Sequence, residues 1–143
     1  MKTLPNQVRV FNATPHPITF WAPGWTEPIS IETDKVINAE VVEEVVEYRY
    51  PNCVLPIYPP PDDFDYKYAE DFVFTLVRTR FVPDDEGQEI INKALALGAD
   101  VIVGSIIAAQ AYPGQVVAMI PAAGYERVAS EQKRMNPNRF CVF

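Results

Sequence analysis

The sequence predicts an α+β domain, with a mixed or antiparallel β-sheet and two short helices packed on it. Three observations carry this. The 14 prolines cut the chain into short pieces of the kind found in turn-rich sheets. Residues 72–81, FVFTLVRTRF, alternate Val73, Thr75, Val77, Thr79 and Phe81 with Phe72, Phe74, Leu76, Arg78 and Arg80, a β-branched and aromatic pattern suited to a pleated strand. Residues 83–100, PDDEGQEIINKALALGAD, carry helix start and stop signals.

Taken in order, short strands are expected at 7–12, 17–22 and 28–32. The first two flank the stretch NATPHP, residues 12–17. Pro15 and Pro17 fix their own φ and push Thr14 and His16 toward extended geometry. Asn12, Thr14 and His16 are thereby held at a stiff strand-to-strand corner. The corner is expected to be structural first, with Asn12 and Thr14 bonding nearby backbone. One ring nitrogen of His16 is expected to bond protein and the other to face a pocket.

Residues 39–50, AEVVEEVVEYRY, place Val41, Val42, Val45 and Val46 on one helical stripe, but the valines and tyrosines favour a strand, which is the assignment taken. Residues 58–71, YPPPDDFDYKYAED, read as an exposed, solvated loop. In the helix that follows, Asp84 opens the first turn, Ile90, Ile91, Ala94 and Leu95 form the apolar stripe, and Gly98 ends it. VIV at 101–103 is a strand. Ser105 caps a second helix, IIAAQAY, which the Pro-Gly turn at 113–114 terminates, and QVVAMI at 115–120 is a further strand. The 143 residues suit a single domain. The tail from Tyr125 onward is too irregular to read as core.

No apolar run reaches the roughly 20 residues of a membrane span, and MKTLPNQVRV has no hydrophobic signal core. The expectation is a soluble cytoplasmic protein. Cys53 and Cys141 read as reduced thiols, and no Cys/His spacing matches a zinc site. Asp62, Asp63 and Asp65 lack the Gly and terminal Glu of an EF-hand loop. Neither a metal nor a cofactor is expected.

The net charge of −7 argues against a surface for nucleic-acid polymer. Residues 32–71 hold 11 acids and 3 bases, whereas residues 125–143 hold 4 bases and 2 acids. An acidic body with a basic tail suits one small anionic ligand. With a single histidine, any Cys-His or Ser-His-Asp arrangement would have to use His16. Ser105 is not in a nucleophile elbow, and no phosphate-loop or dinucleotide fingerprint is present. The Gly104–Ser105 turn reads first as an ordinary helix cap and otherwise as a source of backbone N–H groups for a phosphate, and Ser105 and Gln110, further along the same helix, are taken as ligand-binding candidates. Arg78, Arg80, Arg127, Arg134 and Arg139 are candidates for bidentate phosphate contacts. Tyr48, Tyr112, Tyr125, Phe81 and Trp25 are candidate stacking faces for a base.

Three stretches together resemble a known group. VRVFNATPHPITFW is similar to the N-x-T-P-H-x-I opening of small phage and prophage proteins. DVIVGSIIAAQAY with its Pro-Gly turn, and the tail PAAGYERVASEQKRMNPNRFCVF, resemble the later parts of the same group. The resemblance is to the first Thoeris anti-defence family, phage sponge proteins. It implies a protein that holds a cyclic ADP-ribose-type signal without cleaving it, forms dimers that assemble further, and in some members takes cyclic di- or trinucleotides of CBASS defence at separate sites. It covers about half the chain, and the acidic, proline-rich middle has no counterpart. A preformed pocket needs arginines for a diphosphate, an aromatic for adenine, and amides or hydroxyls for riboses. Two alternatives stand beside this one. One is a nucleotide-processing enzyme with His16 as acid or base and Asp62, Asp63 and Asp65 holding a metal. The other is a phage structural or partner-binding protein whose contact surface is the valine-rich strand and the proline-rich loop.

Overall fold

The computed structural model describes residues 1–49 and 74–143. The loop at 58–71, Cys53 and Asp62, Asp63 and Asp65 lie outside the described residues. By their contacts, residues divide into two compact units, Met1–Glu40 with Phe81–Phe143, and Val41–Arg80.

The first unit is α+β, as the sequence leads one to expect. Its strands are β1 (Lys2–Thr3), β2 (Arg9–Asn12), β3 (Ile18–Phe20) and β4 (Ile29–Ile31), then β7 (Val101–Val103), β8 (Ala118–Pro121) and β9 (Met135–Cys141). One sheet has the order β1-β2-β7, with β1 antiparallel and β7 parallel to β2. The other has the order β4-β3-β9-β8, with β3 and β9 parallel and the two outer pairs antiparallel. A parallel bridge between Val103 and Val117 links the end of β7 to the segment before β8. The second unit holds most of β5 (Glu40–Arg49) and β6 (Phe74–Val82), which pair with each other.

Helix α1 (Asp85–Ala96) begins where the sequence places it. The Asp84 carboxylate caps it by accepting a 2.7 Å bond from the Gly87 N–H, and the Gly98 N–H closes its last turn on the Leu95 carbonyl at 3.0 Å. Helix α2 (Ile106–Ala111) is capped by Ser105, whose Oγ accepts from the Ala108 N–H at 3.1 Å.

Alternation along β2 and β7 sends side chains to two cores. Phe11 and Ile102 join Ile91, Ala94, Ala108 and Tyr112 in the core shared with the helices. Val10 and Val103 join Leu4, Ile18, Phe20 and Ile31 in the other. The parallel central pair is thus buried on both faces.

Two expectations need correction. The tail is not irregular throughout: β9 lies between β3 and β8, and Pro137 within it is fully buried. A proline donates nothing to a ladder. It is accommodated because the β8–β9 register shifts between Met119 and Pro121, so that residues 136–139 bulge. The last strand also starts later than residue 115. The N–H groups of Gln115 and Val116 both bond the Tyr112 carbonyl at 3.0 Å, which prolongs the turn until β8 begins at Ala118.

Among the described residues no helix is long and apolar enough to cross a membrane. Cys141 is a free, half-buried thiol.

Candidate functional site

The stiff corner after β2 is organised by Asn12, whose side chain is wholly buried. Its Nδ2 donates to the carbonyls of His16 at 2.9 Å and Ile31 at 3.0 Å. Its Oδ1 accepts from the Thr14 N–H at 2.9 Å and lies 2.6 Å from Thr14 Oγ1. Thr14 Oγ1 also lies 2.8 Å from the His16 carbonyl, and its single proton serves one of these partners at a time. Asn12 therefore has both donors and its amide oxygen committed to the fold. Asn12 backbone groups are engaged too, with the N–H donating to Asp34 Oδ2 at 2.8 Å.

His16 differs from the expectation in one respect. Its carbonyl is the group that fixes the corner, while its ring is exposed and makes no hydrogen bond among the described residues. The two prolines hold the backbone in place, and no ring contact is needed to do so.

This corner forms one side of a cavity of about 650 Å³. Thr14, His16 and Ile18 line it from the corner, and Gly104, Ser105 and Ile106 from the turn into α2. Met119 of β8 and Met135 of β9 add apolar surface, while Ser130, Glu131 and Lys133 add polar groups. Gly104 is required where it stands, since a Cβ there would lie 2.6 Å from Val116 Cγ1. The turn can thus pack directly on the core and leave Ser105 and Ile106 exposed.

A smaller cavity of about 440 Å³ shares Thr19, Glu131 and Lys133 with the first. Ser30, Tyr125 and Arg134 also line it. The Arg134 guanidinium lies 5.2 Å from the Tyr125 ring centroid, and Tyr125 meets Trp21 edge-on at 5.9 Å.

Of the residues singled out in the sequence, Thr14, His16 and Ser105 come together on the larger cavity, and Arg134 reaches the smaller one. Asn12 supports the corner from beneath. Tyr112 is core: its ring is buried and its hydroxyl is bonded to Asp84. Burial of the phenol, with the Asp84 carboxylate beside it, raises its pKa above the usual tyrosine value, against a lowering by the Asp84 backbone bond. Phe81 and Trp25 are partly buried against the two cores. Gln110, Arg127 and Arg139 are exposed and line neither cavity. Arg78 and Arg80 are exposed on β6, and both belong to the second unit.

Lys133, Met119 and Met135 were not singled out from the sequence. The Lys133–Arg134 dipeptide was the available signal. The two methionines become lining residues only through the β8–β9 pairing. Comparison with known protein families, with curated protein sequences and with solved structures finds no match.

Proposed function

We propose that this chain is a non-catalytic binding protein that sequesters a small cyclic nucleotide signal. The ligand is of the cyclic ADP-ribose type, with cyclic di- or trinucleotides as a further class. The observation that carries this reading is the larger cavity. Its volume of about 650 Å³ falls in the usual range of small-molecule sites, roughly 300–1,000 Å³. Apolar surface from Ile18, Ile106, Met119 and Met135 suits a base. Thr14, Ser105 and His16 suit ribose hydroxyls, and Lys133 supplies positive charge. The N-x-T-P-H-x-I resemblance supports the same ligand class and, as part of the proposal, a location in the cytoplasm of an infected bacterial host.

The wall of this cavity is preorganised, because the Asn12 bonds set the Thr14–His16 backbone before any ligand arrives. Preorganisation lowers the ordering cost of binding, which is what sequestration needs. A homo-oligomer is part of the proposal, through the apolar side chains that β5 and β6 expose, among them Val41, Phe74 and Val77.

Calorimetry with cyclic ADP-ribose, followed by heat denaturation and chromatography of the released ligand, tests this. Binding with return of intact ligand is expected. Return of a hydrolysed product would make the protein an enzyme, and absence of binding to cyclic ADP-ribose and to cyclic di- and trinucleotides would refute the sponge reading.

A further inference from the structure

The smaller cavity has a chemistry of its own. Lys133 and Arg134 both line it, and among the described residues neither has a carboxylate within salt-bridge distance. The chain carries a net charge of −7, yet among the described residues these neighbouring cations have no ion-pair partner. Their backbone is fixed: the Arg134 carbonyl accepts from the Ala122 N–H at 2.8 Å, and the Met135 carbonyl from the Trp21 N–H at 3.1 Å. The Arg134 guanidinium is further held over the Tyr125 ring. This cation–π contact uses none of the guanidinium N–H groups, which make no hydrogen bond among the described residues and are left for a planar two-point contact. The cross-strand hydroxyls of Thr19 and Ser30 lie 2.9 Å apart in the same cavity, bonded to each other with one proton between them and a second to spare.

We infer that the smaller cavity is a phosphoryl subsite, taking a phosphate or diphosphate group carried on a ribose. Arg134 and Lys133 bind the anion, and the Thr19–Ser30 pair supplies a further donor. Glu131, which lines both cavities, is suited to accept from a ribose hydroxyl. Two cations against one carboxylate leave the subsite positive. Because Thr19, Glu131 and Lys133 line both cavities, one nucleotide can place its base in the larger and its phosphates in the smaller. The identity of that nucleotide rests on the function proposed above, whereas the anion subsite does not.

The test is a pair of NMR titrations on the ¹⁵N-labelled full chain, one with inorganic pyrophosphate and one with adenosine. Pyrophosphate is expected to shift the amides of Ser30, Lys133 and Arg134. Arg134→Gln and Lys133→Ala should each weaken it by roughly tenfold or more, and Arg134→Lys should recover part of the loss. A parent-like spectrum away from the substituted residue establishes that each variant folds, and Lys133→Ala, at an exposed position, carries the test alone if Arg134→Gln does not. The subsite is overturned if pyrophosphate leaves these signals unmoved or binds the variants as it binds the parent. Adenosine is expected to shift Ile18 and Met119. If it does not while pyrophosphate still binds, the nucleotide reading falls and the anion subsite stands; the reverse pattern removes the subsite alone.

Discussion

The Tyr112 hydroxyl accepts a 2.9 Å hydrogen bond from the Asp84 N–H and lies 3.1 Å from the Asp84 carbonyl. This pair ties the C-cap of α2 to the N-cap of α1. Gly87 is part of the same contact, since a Cβ at that position would collide with the Tyr112 hydroxyl. Tyr112→Phe leaves the Asp84 N–H without this acceptor, and the expected cost is about 1–3 kcal/mol in denaturant unfolding. The pH dependence has a definite sign. The folded pKa is raised, so the contribution is complete below the ordinary tyrosine value of about 10 and declines as pH climbs beyond it, where the unfolded chain ionises first. Tyr112→Phe should therefore show a shallower alkaline loss of stability than the parent. Equal slopes for the two proteins above pH 10 would contradict this account.

Asn12 offers a sharper test than His16 of what holds the corner. In Asn12→Asp the shape is kept, but the donors to the His16 and Ile31 carbonyls are replaced by a carboxylate oxygen. A buried carboxylate facing carbonyl oxygens has its pKa raised. The variant should be several kcal/mol less stable at neutral pH and should recover part of the deficit as pH falls from neutral toward the ordinary carboxyl value near 4, because the folded-state carboxyl takes up its proton above that value and the neutral acid can donate one bond. His16→Ala, by contrast, removes an exposed ring without a hydrogen bond and should leave the melting temperature within a degree or so, while weakening ligand. A large drop in melting temperature for His16→Ala would show that the ring, not the carbonyl, supports the corner.

These outcomes bear on what the sequence makes legible. Local chemistry was readable: the caps at Asp84 and Ser105 and the Asn12–Thr14 turn each depend on neighbours within four residues. The strand character of β6 was equally plain from its alternation. What the sequence concealed was long-range. Pro137 reads as a strand breaker, and only the bulge opposite β8 shows how it is tolerated. Asn6, far away in sequence, donates to the Pro137 carbonyl at 2.9 Å and helps hold that bulge. The lining of the two cavities depends on this register, so Lys133 and Met135 gain their place from pairings that no local pattern encodes. The arginines were recognisable as a chemical class, but their dispersal over two units was not.

The β5–β6 ribbon predicts an assembly. Two paired strands are marginal as an isolated structure, and this pair exposes Val41, Val46, Phe74, Leu76 and Val77. Glu43, Glu44 and Glu47 lie on β5, and Arg78 and Arg80 on β6. Alternation puts Phe74, Leu76, Arg78 and Arg80 on one face of β6 and Val77 on the other, so a second copy laid on the first face with the glutamates of its β5 would cover Phe74 and Leu76 and set acid against base. Light scattering at micromolar concentration should give at least a dimer, and Leu76→Glu, on the arginine face of β6, should shift it toward the monomer. A monomeric parent would remove the assembly from the proposal.

The last prediction separates the five arginines by position. Arg134 is half-buried in a cavity beside Lys133, whereas Arg127 and Arg139 are exposed and line neither cavity. With cyclic ADP-ribose as titrant, Arg134→Ala should cost about 1.5–3 kcal/mol, a loss of roughly ten- to hundredfold. Arg127→Ala and Arg139→Ala should bind within about twofold of the parent, because exposed charges outside the site act only through a screened field. Salt should weaken the parent modestly and the Arg134→Ala variant less, since that variant has lost a charged contact. Arg78→Ala and Arg80→Ala are informative in a different way. They belong to the ribbon unit, so a loss of affinity on substituting them, together with a loss of assembly, would trace the effect to the oligomer. If instead Arg127 or Arg139 controls affinity while Arg134→Ala binds like the parent, the anion is held on the exposed face of the tail and not in the cavity beside Tyr125.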